Sequence, residues 1–144
     1  MLKMNGMLAG LMLLTGCGGP LATIRNQAAA DLACDDAKLV VEAFGDHGPG
    51  GTGPYYVTGC DQLARYSASC NAFGACSVDK GMVVSRDVRR QAAFDLKCGP
   101  DEVIVQRISD DTFGASGCSR QASYQIVGCG TTTGCRIVQN TQAQ

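Results

Sequence analysis

Residues 25–34 read RNQAAADLAC and residues 89–98 read RRQAAFDLKC, the same segment met twice at a separation of 64 positions. The correspondence continues downstream. Gly59-Cys60 recurs as Gly117-Cys118, Ala64 as Ala122 and Tyr66 as Tyr124, now 58 positions apart, and Cys70 and Cys76 recur as Cys129 and Cys135. The separation falls because a loop in the first copy is six residues longer. Self-similarity at one period marks a duplicated supersecondary unit.

Each copy reads as the same series of elements. Ile24, Ala28 and Leu32, like Val88, Ala92 and Leu96, recur every four residues and fall on one side of a short helix. Thr23 and Ser85 are the expected caps. Leu39 to Phe44 and Val103 to Ile108 are rich in β-formers and apolar on both faces. A helix is expected on one face and the other copy on part of the second. Further strands are expected at Tyr55 to Thr58 with Thr112 to Ser116, and at Leu63 to Ala68 with Gln121 to Val127. Short extensions follow the last cysteine of each copy. The expected class is α+β, a duplicated small unit of one helix on a three- or four-stranded antiparallel meander, stapled by disulfides.

The first residues read as a targeting segment. Lys3 precedes the apolar run Met7 to Leu14, which is shorter than the roughly 20 residues of a permanent membrane helix. Leu14-Thr15-Gly16-Cys17 follows, similar to a lipoprotein signal with its lipobox, in which the Cys17 thiolate receives the lipid. The expected layout is a signal peptide over 1–16, a lipidated tether over 17–22, the first unit over 23–78, a linker over 79–84, the second unit over 85–138 and a tail over 139–144. Gly18 stands where an aspartate would favour inner-membrane retention, so an outer-membrane lipoprotein, on its periplasmic face or at the cell surface, is expected.

Eight cysteines remain after Cys17: Cys34, Cys60, Cys70, Cys76, Cys98, Cys118, Cys129 and Cys135. An even number in a small exported chain reads as a disulfide framework. Zinc is the weaker reading, because the chain has no Cys-x-x-Cys pair and its one histidine is His47. In a meander the start of the first strand and the end of the second share an edge. That pairs Cys34 with Cys60 and Cys98 with Cys118, leaving Cys70–Cys76 and Cys129–Cys135; an internal helix or swapped strand would link Cys34 to Cys70 instead. Without residues 1–16 the chain carries 11 basic and 13 acidic side chains, net −2 and dispersed. Such a surface offers no field for nucleic acid and no basic patch for anionic lipid, so attachment rests on the lipid.

The series Asp-Leu-x-Cys, Gly-Cys, Tyr, Cys is carried by Asp31, Leu32, Cys34, Gly59, Cys60, Tyr66 and Cys70. It returns as Asp95, Leu96, Cys98, Gly117, Cys118, Tyr124 and Cys129. It resembles a motif of cysteine-rich lipoproteins of myxobacteria and related bacteria. Asp61 and Ser119 depart from it, standing where that group often has a second glycine. The resemblance implies a fold and a location and no catalytic residue.

Chemistry is sparse. The loop from Gly45 to Pro54 is rich in glycine but lacks the lysine of a phosphate loop. No serine sits in a nucleophile elbow, and Asp110-Asp111 and Asp35-Asp36 belong to no full calcium loop. No enzyme, metal or cofactor is expected. Asp31 and Asp95, repeated before the first cysteine of each unit, are expected to bind backbone or to pair with Arg65 or Arg120. Asp46, His47, Tyr55, Tyr56 and Phe73 are the partner-contact candidates, since exposed aromatics anchor interfaces. The leading expectation is a structural or accessory lipoprotein of an envelope or cell-surface protein assembly; the alternative is a free ligand-binding or inhibitory module.

Overall fold

A computed structural model describes residues 19–130 and 134–141. The expected signal peptide over 1–16, the expected lipidation site Cys17 and the last three residues of the expected tail lie outside the described residues. Two units follow one another, each a helix packed on a four-stranded antiparallel sheet. The first has α1 (Pro20–Asp31), β1 (Val40–Ala43), β2 (Gly53–Gly59), β3 (Gln62–Cys70) and β4 (Cys76–Met82). The second has α2 (Val84–Leu96), β5 (Ile104–Arg107), β6 (Thr112–Gly117), β7 (Arg120–Gly130) and β8 (Gly134–Thr141). Both sheets are meanders in sequence order. Among the described residues no helix is long and apolar enough to cross a membrane.

The repeated residues have repeated physical reasons. Both helices end in a left-handed residue, Ala33 at φ 48° and Lys97 at φ 54°, and the N–H of the following cysteine returns to Ala29 or Ala93. Each helix thereby hands its cysteine to the sheet. The Gly-Cys pair serves the other end of that bridge. A Cβ on Gly59 would stand 2.6 Å from Leu39 and 3.3 Å from the Cys34 sulfur, and one on Gly117 2.9 Å from the Glu102 carbonyl oxygen and 3.1 Å from the Cys98 sulfur. Cys60-Asp61 and Cys118-Ser119 then turn the hairpins with positive φ at both residues, the geometry of a two-residue hairpin whose twist matches its strands.

The bridges are Cys34–Cys60, Cys70–Cys76, Cys98–Cys118 and Cys129–Cys135, the pairing the meander implies. Their stabilising effects should differ with the loop closed. Replacing Cys34 and Cys60 by alanine, which opens a separation of 26, is expected to cost about 3.5 kcal/mol, against about 2 kcal/mol for Cys70 and Cys76 at a separation of 6. Urea midpoints of the two double variants check the order; equal losses would rule out loop closure as the source.

Several boundaries differ from the sequence reading. α1 already begins at Pro20, inside the expected tether, and neither Thr23 nor Ser85 caps a helix: the N-caps are Gly19 and Val83. The Ser85 hydroxyl instead accepts the Leu63 N–H at 3.2 Å. The expected linker 79–84 is strand through Met82, then Val83, then helix. Asp79-Lys80-Gly81 looks like a turn, but its backbone pairs with β3, and Lys80 reaches Asp31 on α1 at 3.3 Å. The expected tail is strand as far as Thr141.

The first sheet is covered on both faces, which explains its strands. One face carries Val57, Ala64, Tyr66 and Ala68 against Ile24, Ala28 and Leu32 of α1. The other presents Phe44, Tyr56 and Met82 to the core of the second unit, where they join Val88, Leu96, Phe113 and Tyr124. Accordingly α2 packs on β5, β6 and β7 of its own sheet and also touches β3.

Candidate functional site

Tyr66 and Tyr124 carry the recurrent polar feature of each core. Both rings are fully buried, and their hydroxyls donate to Asp31 at 3.0 Å and Asp95 at 2.9 Å, at the last turn of each helix. Burial, reinforced by the carboxylate that accepts the proton, pushes both phenols well above their ordinary range. These tyrosines are the partners of the repeated aspartates. Arg65 and Arg120 are engaged elsewhere, with Asp111 and with the Leu96 carbonyl oxygen.

The seam between the units is a second cluster; the apolar second faces of the strands imply that the copies pack together but not which side chains meet there. The Tyr56 ring stacks on Phe44 at 4.2 Å and meets Phe113 edge-on at 6.2 Å. Arg65 lies 4.7 Å over Phe44 and Arg107 4.3 Å over Tyr56, one guanidinium from each unit. Arg65 pairs with Asp111, the Tyr56 hydroxyl donates to the Asp110 carbonyl oxygen, and Arg107 reaches Glu42 at 3.2 Å and Asp110 at 2.9 Å. Tyr56 was expected to be an exposed partner contact. It is instead wholly buried, because strand alternation turns it away from Tyr55 and into the second unit. Its apolar counterface is the one hint of this in the sequence.

The remaining candidates gather at one end of the first unit. Tyr55 is also buried, at 4% exposure, and so is not a surface contact; its hydroxyl donates to Gly51 at 2.7 Å and holds the Gly45–Pro54 loop. His47 rests edge-on against that ring at 4.9 Å, and its Nδ1 lies 3.3 Å from the Gly45 carbonyl oxygen. Asp46 is exposed beside it. The same loop touches two other elements. Pro20 packs on Gly51, where a Cβ would stand 2.7 Å from its ring, and the Thr52 hydroxyl accepts the Cys70 N–H at 2.8 Å. From Cys70 the chain enters a five-residue tip closed by Cys76, and there Phe73 stands 94% exposed.

One set of potential metal ligands occurs among the described residues, Cys98, Glu102 and Cys118. The Glu102 carboxylate lies 3.7 and 3.6 Å from the two sulfurs, but those sulfurs are bonded to each other. A disulfide offers no thiolate, so the set has no ligand field for zinc in this state. The carboxylate is already held by the Gly99 N–H at 3.1 Å.

Fold and site together define a duplicated, disulfide-stapled α+β protein with one aromatic tip exposed. No protein-family model, no curated protein and no solved structure matches the chain.

Proposed function

We propose that the protein is a structural or accessory lipoprotein of a bacterial envelope or cell-surface assembly, attached to the outer membrane through lipid on Cys17. The observation that carries this reading is Leu14-Thr15-Gly16-Cys17 after an apolar run, ending three residues before the first helical residue, Pro20. A tether that short holds the folded units against the bilayer. Four closed disulfides support export to an oxidising compartment. Resemblance to cysteine-rich lipoproteins of myxobacteria favours the same reading, and the stapled, doubly packed units suit a scaffold that presents surface to an envelope protein rather than an enzyme.

Intact mass measurement of the membrane-extracted protein is expected to show loss of residues 1–16 and acyl mass on Cys17. Cys17→Ser is expected to move the chain out of the lipidated membrane fraction. A native membrane pool with an unmodified Cys17 thiol would remove the anchor. Copurification after gentle detergent extraction tests the assembly: recovery of the lipidated chain alone argues against a stable envelope partner.

A further inference from the structure

The charges of the first unit are polarised along its length. Residues 19–24, 48–55 and 66–78 contain no Asp, Glu, Lys or Arg. They are far apart in sequence but converge at one end of the unit, through Pro20 on Gly51 and Thr52 on Cys70. In the loops of that end, Asp46 is the formal charge. The opposite end, around Cys34–Cys60, carries Asp35, Asp36, Lys38 and Asp61.

The charge-poor end bears Phe73, and its tip is preorganised. Asn71 Oδ1 accepts the N–H groups of Phe73 and Ala75, each at 3.0 Å, and the Asn71 N–H donates to the Ala75 carbonyl oxygen at 2.9 Å. Together with Cys70–Cys76 these bonds fix the loop, so little conformational entropy remains to be lost when the ring is buried. Ala72 and Ala75 flank it, and Leu21, in the first turn of α1, is also more than half exposed. Cys17 lies three residues before Pro20, a span of at most roughly 11 Å, which keeps its lipid at this same end.

We propose that the Phe73 tip dips into the headgroup–acyl boundary of the membrane that carries the Cys17 lipid. This contact rests on the lipoprotein reading above and adds orientation to it. A lipid on a short tether fixes distance but leaves the domain free to swivel, whereas a second apolar contact sets which face looks outward. An aromatic ring on an uncharged tip enters the boundary without desolvating an ion. The bilayer is the occupant because the chain itself brings it within reach.

The chain contains no tryptophan, so Phe73→Trp introduces a single indole reporter at an exposed position. The full-length lipidated variant is reconstituted into phosphatidylethanolamine–phosphatidylglycerol vesicles with and without bromine on the acyl chains. Lys38→Trp, at the charged end, serves as control. The bromolipid is expected to cut Phe73→Trp emission by roughly half and to leave Lys38→Trp unchanged. Equal insensitivity of both, with acyl mass present on Cys17, overturns the tip contact and leaves the anchor standing. Absence of acyl mass overturns the anchor and the tip contact with it. Emission insensitive to bromolipid but shielded from acrylamide in native membranes makes the occupant a protein and overturns the lipid assignment.

Discussion

Tyr56→Ala is expected to lower unfolding free energy by about 3–5 kcal/mol, the range for loss of a large buried aromatic. The ring is fully buried between Phe44 and Phe113, and Arg65 and Arg107 lie over the stacked pair it forms with Phe44. Truncation removes the ring under Arg107 and the partner that Phe44 stacks on, and the Asp110 carbonyl oxygen loses the hydroxyl that donates to it. The Nε of Arg65 is already buried without a hydrogen-bond partner, and its guanidinium is held between the Asp111 carboxylate and the Phe44 ring. Tyr56→Phe keeps the packing and is expected to cost about 1 kcal/mol. Urea unfolding of the three proteins, followed by near-ultraviolet dichroism, measures the two losses. An alanine variant within about 0.5 kcal/mol of the parent would mean that the units are held together elsewhere.

Alkaline pH is expected to unfold the protein well before its backbone is otherwise stressed. Tyr66 and Tyr124 titrate far above the ordinary phenol value of 10.0 when folded, through burial first and the Asp31 and Asp95 carboxylates second. Tyr55 and Tyr56 are raised as well, Tyr55 by burial and Tyr56 by burial that outweighs the opposing pull of Arg65. The unfolded chain therefore loses phenolic protons that the folded chain keeps. Stability is fully present below pH 10 and falls as pH rises from there toward the folded values. Each of Tyr66 and Tyr124 contributes a slope of about 1.4 kcal/mol per pH unit, so together they remove about 5 kcal/mol over two units. Urea midpoints measured from pH 9 to 12 should show this fall. The double variant Tyr66→Phe, Tyr124→Phe should lose the part of the slope due to this pair, and an unchanged slope would sink the account.

Much of the fold was legible because the duplication checks itself. Ile24, Ala28 and Leu32 alone are a weak helical signal, but Val88, Ala92 and Leu96 repeat it, and the glycine-cysteine pairs then place the hairpin turns. Strand order in a meander follows chain order, which is why the four bridges could be paired in advance. The misreadings lie where long-range contacts outweigh local chemistry. Asp79-Lys80-Gly81 has turn composition, yet it is strand because it completes the edge of β3 and sends Lys80 to Asp31. Tyr55 and Tyr56 look alike in sequence and are both buried, one under its own loop and one under the other unit. The seam joins Glu42 to Arg107 and Arg65 to Asp111 across 65 and 46 positions, and nothing local marks such partners. At the candidate site, Phe73 alone among the three aromatics was correctly read as exposed, since a five-residue disulfide loop leaves no room for it to fold under.

The two copies match in fold but differ on one face, and that difference gives the tandem a direction. Where the first sheet has Phe44, Tyr56 and Arg65, the second has Ile108, Gly114 and Ser123 at the corresponding positions. Ile108 lies across Gly114, where any Cβ would meet its Cδ1 at 3.2 Å, and is itself 64% exposed. The socket that receives the second unit is thus not reproduced on the second unit. Head-to-tail contacts between identical repeats propagate without limit unless the terminal repeat differs, and an open series of them makes fibres. In this chain the second copy lacks the aromatic and guanidinium surface that seats it on the first, and a short aliphatic cover, Ile108 across Gly114, stands in its place.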